Sequence, residues 1–240
     1  LPYLETLYKQ AGDTVELQLA ILQSVAFQRT KEATALLGRL LHEELPLTES
    51  SNQIYQLFAP LHDSLELAKP LFPQLLEYTD YKEYKAPVLH LLASMAVKSL
   101  ATPAMYGTYK TKLIRDARYE LKRQVTRERS VQADEKPKYQ GGYSKAVNNK
   151  LIKFVELLHP FRNEPVVSKW YKDVKSTKLN LFKFALYKEW NKLNMQQSDT
   201  LLPYLASLPY LRVELWGYLK EEGQLHKVPT EEYTQEKVVR

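Results

Sequence analysis

The stretch from Leu1 to Phe27 constrains the fold more than any other part of the chain. It reads as a short apolar helix, a break at Ala11-Gly12-Asp13-Thr14, and a longer helix from Val15. Leu4, Leu7, Tyr8 and Ala11 share one helical face, and Val15, Leu19, Leu22 and Ala26 share another. Parts of this unit recur: Leu71-Phe72-Pro73-Gln74-Leu75-Leu76 repeats its opening, while Leu202-Pro203-Tyr204-Leu205 followed by Val213-Glu214-Leu215 repeats both halves in order. A two-helix unit cannot bury its apolar face alone. Its recurrence therefore predicts an all-α chain of antiparallel helix pairs stacked as a solenoid.

Composition supports helices over sheets. The 240 residues include thirteen Pro but only seven Gly, fewer Gly than the turns of a sheet or a glycine-rich binding loop require. With 44% apolar and 26% charged residues, the chain has the means to build a core. The absence of Cys excludes thiol catalysis, disulfides and cysteine-ligated zinc. No apolar run reaches the roughly 18 to 20 residues of a membrane span, so no membrane insertion is expected. The chain opens without Met on a helical pattern, which is read as a segment of a longer protein. A net charge of +6 fits acidic partners or nucleic acid, although a lysine-rich solvated surface yields the same value.

Taken in order, the chain continues with a helix capped by Thr30 that buries Ala33, Leu36, Leu37 and Leu40. Ser50 with Gln53 has the form of a capping box ahead of Ile54, Leu57, Phe58 and Leu61. Tyr78 to Lys85 reads as a polar connector, with Pro87 at the start of the next helix. Thr102-Pro103 is expected to open the longest helix, running to about Arg129. Residues 130–143 lack apolar periodicity and are read as a polar linker between halves 1–129 and 144–223 of one solenoid domain. The polar residues 224–240 form an expected frayed tail.

The hairpin at Leu1 to Phe27, with Pro2 in its first helix, Asp13 in its turn and Val15 opening its second helix, resembles HEAT-type repeats. Its echo keeps Pro203 and Val213 but lacks the turn Asp, and the central units match neither cleanly. The resemblance implies a non-catalytic scaffold with protein partners. The stretch Tyr106 to Gln124 resembles helical regions of large proteins carrying a TraB/GumN-type domain, which implies an accessory role beside a hydrolase-like domain. That family's paired Gly-x-x-His and Gly-x-x-Glu motifs have a single counterpart here, Gly223-Gln224-Leu225-His226, so no functional residue is carried over.

A search for chemistry finds no catalytic, cofactor or small-molecule motif. His42, His62, His90, His159 and His226 are scattered without i, i+4 spacing, and no metal site is expected. His159, before Pro160, reads as a helix-end cation. Paired acids such as Glu43-Glu44 are adjacent, so on a helix they point apart. The candidate binding surface has two parts. Arg115, Arg118, Lys122 and Arg129 recur at helical spacing and form one basic stripe, suited to an acidic protein or, as a third reading, to nucleic acid. Asp116, Glu120 and Glu128 lie among them and can pair locally, so a solvated helix face is the competing reading of the stripe. Tyr78, Tyr81 and Tyr84 are candidates for an exposed aromatic patch, with packing between adjacent hairpins as the alternative.

Overall fold

In a computed structural model, the described residues are 1–134, 151–177, 180–208 and 211–228. Among them there is no strand, and the all-α expectation holds. The helices are α1 (Pro2–Gln10), α2 (Val15–Ala26), α3 (Lys31–Glu43), α4 (Ser51–His62), α5 (Leu65–Ala68), α6 (Phe72–Tyr78), α7 (Lys82–Val97) and α8 (Tyr109–Asp134). They continue with α9 (151–158), α10 (Pro165–Lys175), α11 (Asn180–Lys192), α12 (Gln197–Ala206) and α13 (Arg212–Glu221). The chain divides into two compact units, Leu1–Ile114 with Glu156–Arg162, and Arg115–Val155 with Asn163–Arg240.

In the first unit, α2 packs against α1, α3 and α4, and α4 in turn packs against α7. Leu22 and Val25 of α2, Ile54 of α4, and Val88, Leu91, Leu92 and Met95 of α7 have no exposed surface. Apolar residues at i, i+3, i+4 and i+7 give each helix a buried stripe, and these stripes meet. Gly38 marks a close approach of α3 to the turn Lys69–Leu71. A Cβ there would meet Leu71 Cδ2 at 2.5 Å, so only a residue without one fits undisturbed.

Local signals are realised unevenly. Thr30 caps α3 as expected, its hydroxyl accepting from the Ala33 amide at 3.1 Å. Gly12 takes the left-handed φ of +51° that ends the first hairpin's turn. Thr14 stands at the N-cap of α2, without a side-chain bond. Ser50 occupies the N-cap of α4 without a side-chain bond, and Gln53 instead accepts from the Thr48 hydroxyl.

The connector expected at Tyr78–Lys85 is largely helical, because Tyr84 is drawn into the core. It has no exposed surface and donates to the Pro46 carbonyl at 2.7 Å, which pulls the first turn of α7 inward and leaves Pro87 inside the helix. Thr102-Pro103 opens a short 3-10 turn, Pro103–Tyr106, rather than α8 itself. Gly107, at a φ of +48°, then separates the two, and Tyr106 is buried between Phe72 and Phe161, with ring centroids 5.0 and 4.9 Å away. Residues 130–134 of the expected linker continue α8 to Asp134; positions 135–143 lie outside the described residues.

The second unit is built on large aromatics that carry their own hydrogen bonds. The Trp170 indole donates to the Ala117 carbonyl at 3.1 Å, and the Tyr171 hydroxyl to the Val155 carbonyl at 2.8 Å. Tyr171 also meets Trp190 edge to face. Buried Asn191 donates to the Tyr218 hydroxyl and to Gln224 Oε1, and accepts from Lys227 Nζ. The start of the expected frayed tail is therefore tied to the unit; positions 229–240 lie outside the described residues.

Tyr84 provides a test of this core. Tyr84→Phe keeps the ring and strands the Pro46 carbonyl, and should lower stability by about 1 kcal/mol in urea denaturation. Phe58→Ala, which opens a cavity between α4 and its neighbours, should cost about 3 to 5 kcal/mol. Wild-type stability in both variants would contradict the packing described.

Candidate functional site

The basic stripe is built on α8. Leu113, Ala117, Glu120, Leu121 and Gln124 are buried, whereas Thr111, Arg115, Arg118, Tyr119, Lys122 and Thr126 are exposed. Both sets follow the helical period, so sequence spacing alone places Arg115, Arg118 and Lys122 on one outer face. Arg129 lies further along α8, and its side chain is outside the described residues.

Two of the acids among these cations, Asp116 and Glu120, pair locally as expected; the Glu128 side chain lies outside the described residues. Asp116 pairs with Arg115 at 3.4 Å. Glu120 is withdrawn to the buried face, where it pairs with Arg123 at 3.5 Å and accepts from Gln124. Arg118 and Lys122 make no ion pair with any described residue. The sequence reading overlooked Tyr119, which sits among these cations with 69% of its surface exposed. Its signal was present, since position 119 follows Arg115 by one helical turn. The result is an aromatic ring flanked by three cations.

The tyrosine candidates do not form a surface. Tyr84 is fully buried and Tyr78 is 6% exposed, and their phenols are pushed up, chiefly by burial, that of Tyr78 to about 12. Only Tyr81, at the N-cap of α7, is exposed, and its ring contacts Tyr84. The cluster is an anchor of the α6–α7 corner, and the expectation of an exposed patch is corrected for Tyr78 and Tyr84.

Two histidines that looked unrelated in sequence are brought together. His62 in the last turn of α4 and His90 in α7 have ring centroids 4.6 Å apart. No spacing rule could have found them, because their proximity depends on the pairing of α4 with α7. His159 departs from its expected role as a helix-end cation. Burial, and then the Arg162 charge, lower its pKa, so it is neutral at neutral pH. Among the described residues, no group of three or more His, Asp or Glu is placed to hold a metal ion. No helix there is long and apolar enough to cross a membrane.

An open groove of about 410 Å³ lies between α1 and α3, lined by residues that include Glu5, Leu36 and Arg39. Arg39 grips Glu5 with two bonds of 2.8 and 2.9 Å, and Lys9 adds one of 3.1 Å. Glu5 and Arg39 thus satisfy each other across the groove and act as a clasp between α1 and α3.

Comparison with family models, curated proteins and solved structures yields no match, so the functional reading rests on the residues themselves.

The clasp is testable by titration. Hydrogen bonds from Arg39, and then from Lys9, hold the Glu5 carboxyl down to about 2 from its ordinary value of 4.5. A depressed acid stabilises the fold above its unfolded pKa, and that contribution is lost as pH falls from about 4.5 toward about 2. Carboxyl NMR of Arg39→Gln should show Glu5 titrating nearer to about 4.3. An unmoved titration would show that Arg39 does not set it.

Proposed function

We propose that the chain is a non-catalytic, HEAT-like helical-repeat module that binds an acidic protein segment through the outer face of α8. The repeat reading is supported by the row α2, α4, α7 in the first unit, where each helix lies against the next in the row. The single observation that carries the binding reading is Tyr119, an exposed ring framed by Arg115, Arg118 and Lys122. A tyrosine left in water contributes nothing to the core, whereas Tyr and Arg are the residues most enriched where binding energy concentrates. Charge complementarity selects an acidic partner, and the +6 net charge would steer it inward.

A protein segment is favoured over nucleic acid because Arg115 is already engaged by Asp116, which leaves few cations to follow a phosphate backbone.

Fluorescence anisotropy with a labelled glutamate-rich peptide containing aromatic residues, and with single- and double-stranded oligonucleotides, tests this at two salt concentrations. The peptide should bind, and Tyr119→Ala should weaken it by about 2 kcal/mol, or roughly thirtyfold. Replacing Arg115, Arg118, Lys122 and Arg129 with Gln should abolish binding while changing stability by no more than about 0.5 kcal/mol per site. No peptide binding, or tight oligonucleotide binding with a log-log salt slope of about 0.9 per neutralised phosphate, would overturn the reading.

A further inference from the structure

The three helices of the row α2, α4, α7 share a property that an exposed protein surface rarely has. Positions 17–28 in and just after α2, the whole of α4 (Ser51–His62) and positions 86–97 of α7 contain no Lys, Arg, Asp or Glu, in a chain whose residues are 26% charged. Core-facing positions need no charge, but each of these stretches also reaches solvent. Leu17 and Ala20 on α2, Phe27 at its C-cap, and Tyr55 and Ala59 on α4 are exposed, and Leu89 on α7 is partly so. Within each helix these positions follow steps of three and four residues, so they lie on one side.

Side-chain contacts join the stripes into one face. Gln23 of α2 donates to the Gln56 carbonyl of α4 at 3.5 Å, and the Tyr55 ring of α4 meets the His90 ring of α7 with centroids 6.2 Å apart. Gln23–Gln56 in mid-helix and Arg29–Asp63 beyond the C-terminal ends show that α2 and α4 run in the same direction, which sets their stripes side by side. Because α4 has neighbours on both flanks, its exposed positions open on one side. Charge returns at the ends of the face, with Arg29 and Asp63 at one and Lys82 and Lys85 at the other.

The chemistry and size of this face select its occupant. A charged partner would surrender hydration there and meet no opposite charge. A second copy of the chain presents the same uncharged helices, and a two-fold axis sets such a patch against itself. The 12 residues of α4 are about 18 Å long, and three helices about 9 Å apart span about 27 Å. The face thus offers about 500 Å² per copy, or about 1,000 Å² in a dimer, which is the lower bound of a specific interface and suits a reversible one.

We propose that the chain forms a weak, reversible two-fold dimer through the uncharged face of α2, α4 and α7, with Phe27 and Tyr55 as its aromatic anchors.

Sedimentation velocity of the intact chain, from about 1 to about 200 µM, tests this. The 28.0 kDa monomer should convert to a dimer with a dissociation constant in the micromolar range. The dimer should persist in high salt, which screens the repulsion between two basic chains and leaves apolar contact intact. Phe27→Glu and Ala59→Glu each place a charge at an exposed position and should weaken the dimer at least about thirtyfold, with thermal melts unchanged. Tyr119→Ala should leave it unaltered, which separates this face from the α8 surface. In the unaltered protein, amide NMR shifts that change with concentration should fall on Leu17, Ala20 and Ala59 and spare Tyr119, a readout that holds even if a variant misfolds. A chain that stays monomeric throughout, a dimer that survives both substitutions in folded variants, or a monomer that instead binds an uncharged amphipathic helical peptide on this face would overturn the proposal.

Discussion

An amphipathic helix can satisfy one neighbour with a narrow stripe, but a helix flanked on two sides must bury a wider arc. In the first unit that demand falls on α4, which lies against both α2 and α7. Ile54, Leu57, Phe58 and Leu61 are at most 2% exposed. Removing one such side chain from water stabilises the fold by about 1.5 to 3 kcal/mol, more than a surface ion pair such as Arg29–Asp63 supplies. Placing α4 settles where α2 and α7 must go. It also sets the polar edge of the row, because the last turn of α4 brings His62 to the solvent-facing margin beside His90 and Ser94.

The second unit meets the same demand with different side chains. Trp170, Tyr171, Tyr187 and Trp190 are each at most 2% exposed, and rings of that size fill space that several aliphatic residues would otherwise share. Their polar tips then need partners. Trp170 and Tyr171 find backbone carbonyls, whereas the Tyr187 hydroxyl and the Trp190 indole nitrogen have no partner among the described residues, a cost offset by the area their rings bury.

Helical periodicity made much of this legible. The buried stripes of α2, α3 and α4, the Thr30 cap and the outward face of Arg115, Arg118 and Lys122 all follow from spacing along one helix. What escaped the sequence depended on distant partners. Tyr84 looked like a connector residue because nothing local reveals the Pro46 carbonyl that holds its hydroxyl. Pro87 looked like a helix start, because the gain from burying Tyr84 exceeds the cost of a missing backbone bond. Gln224 and Lys227 looked like tail residues because Asn191, which ties them down, is more than thirty positions away. The His62–His90 pair is the extreme case, being a property of how two helices pair rather than of either helix.

The row α2, α4, α7 holds the first unit together and supports its flanks. Native-state hydrogen exchange, read by mass spectrometry on peptides from the intact chain, measures this directly. The amides of α4 should be the slowest in the unit and should open only with global unfolding, while α1, whose one buried side chain is Tyr8, exchanges through local fraying at lower cost. If α4 exchanged as readily as α1, the row would not be the element on which the unit depends.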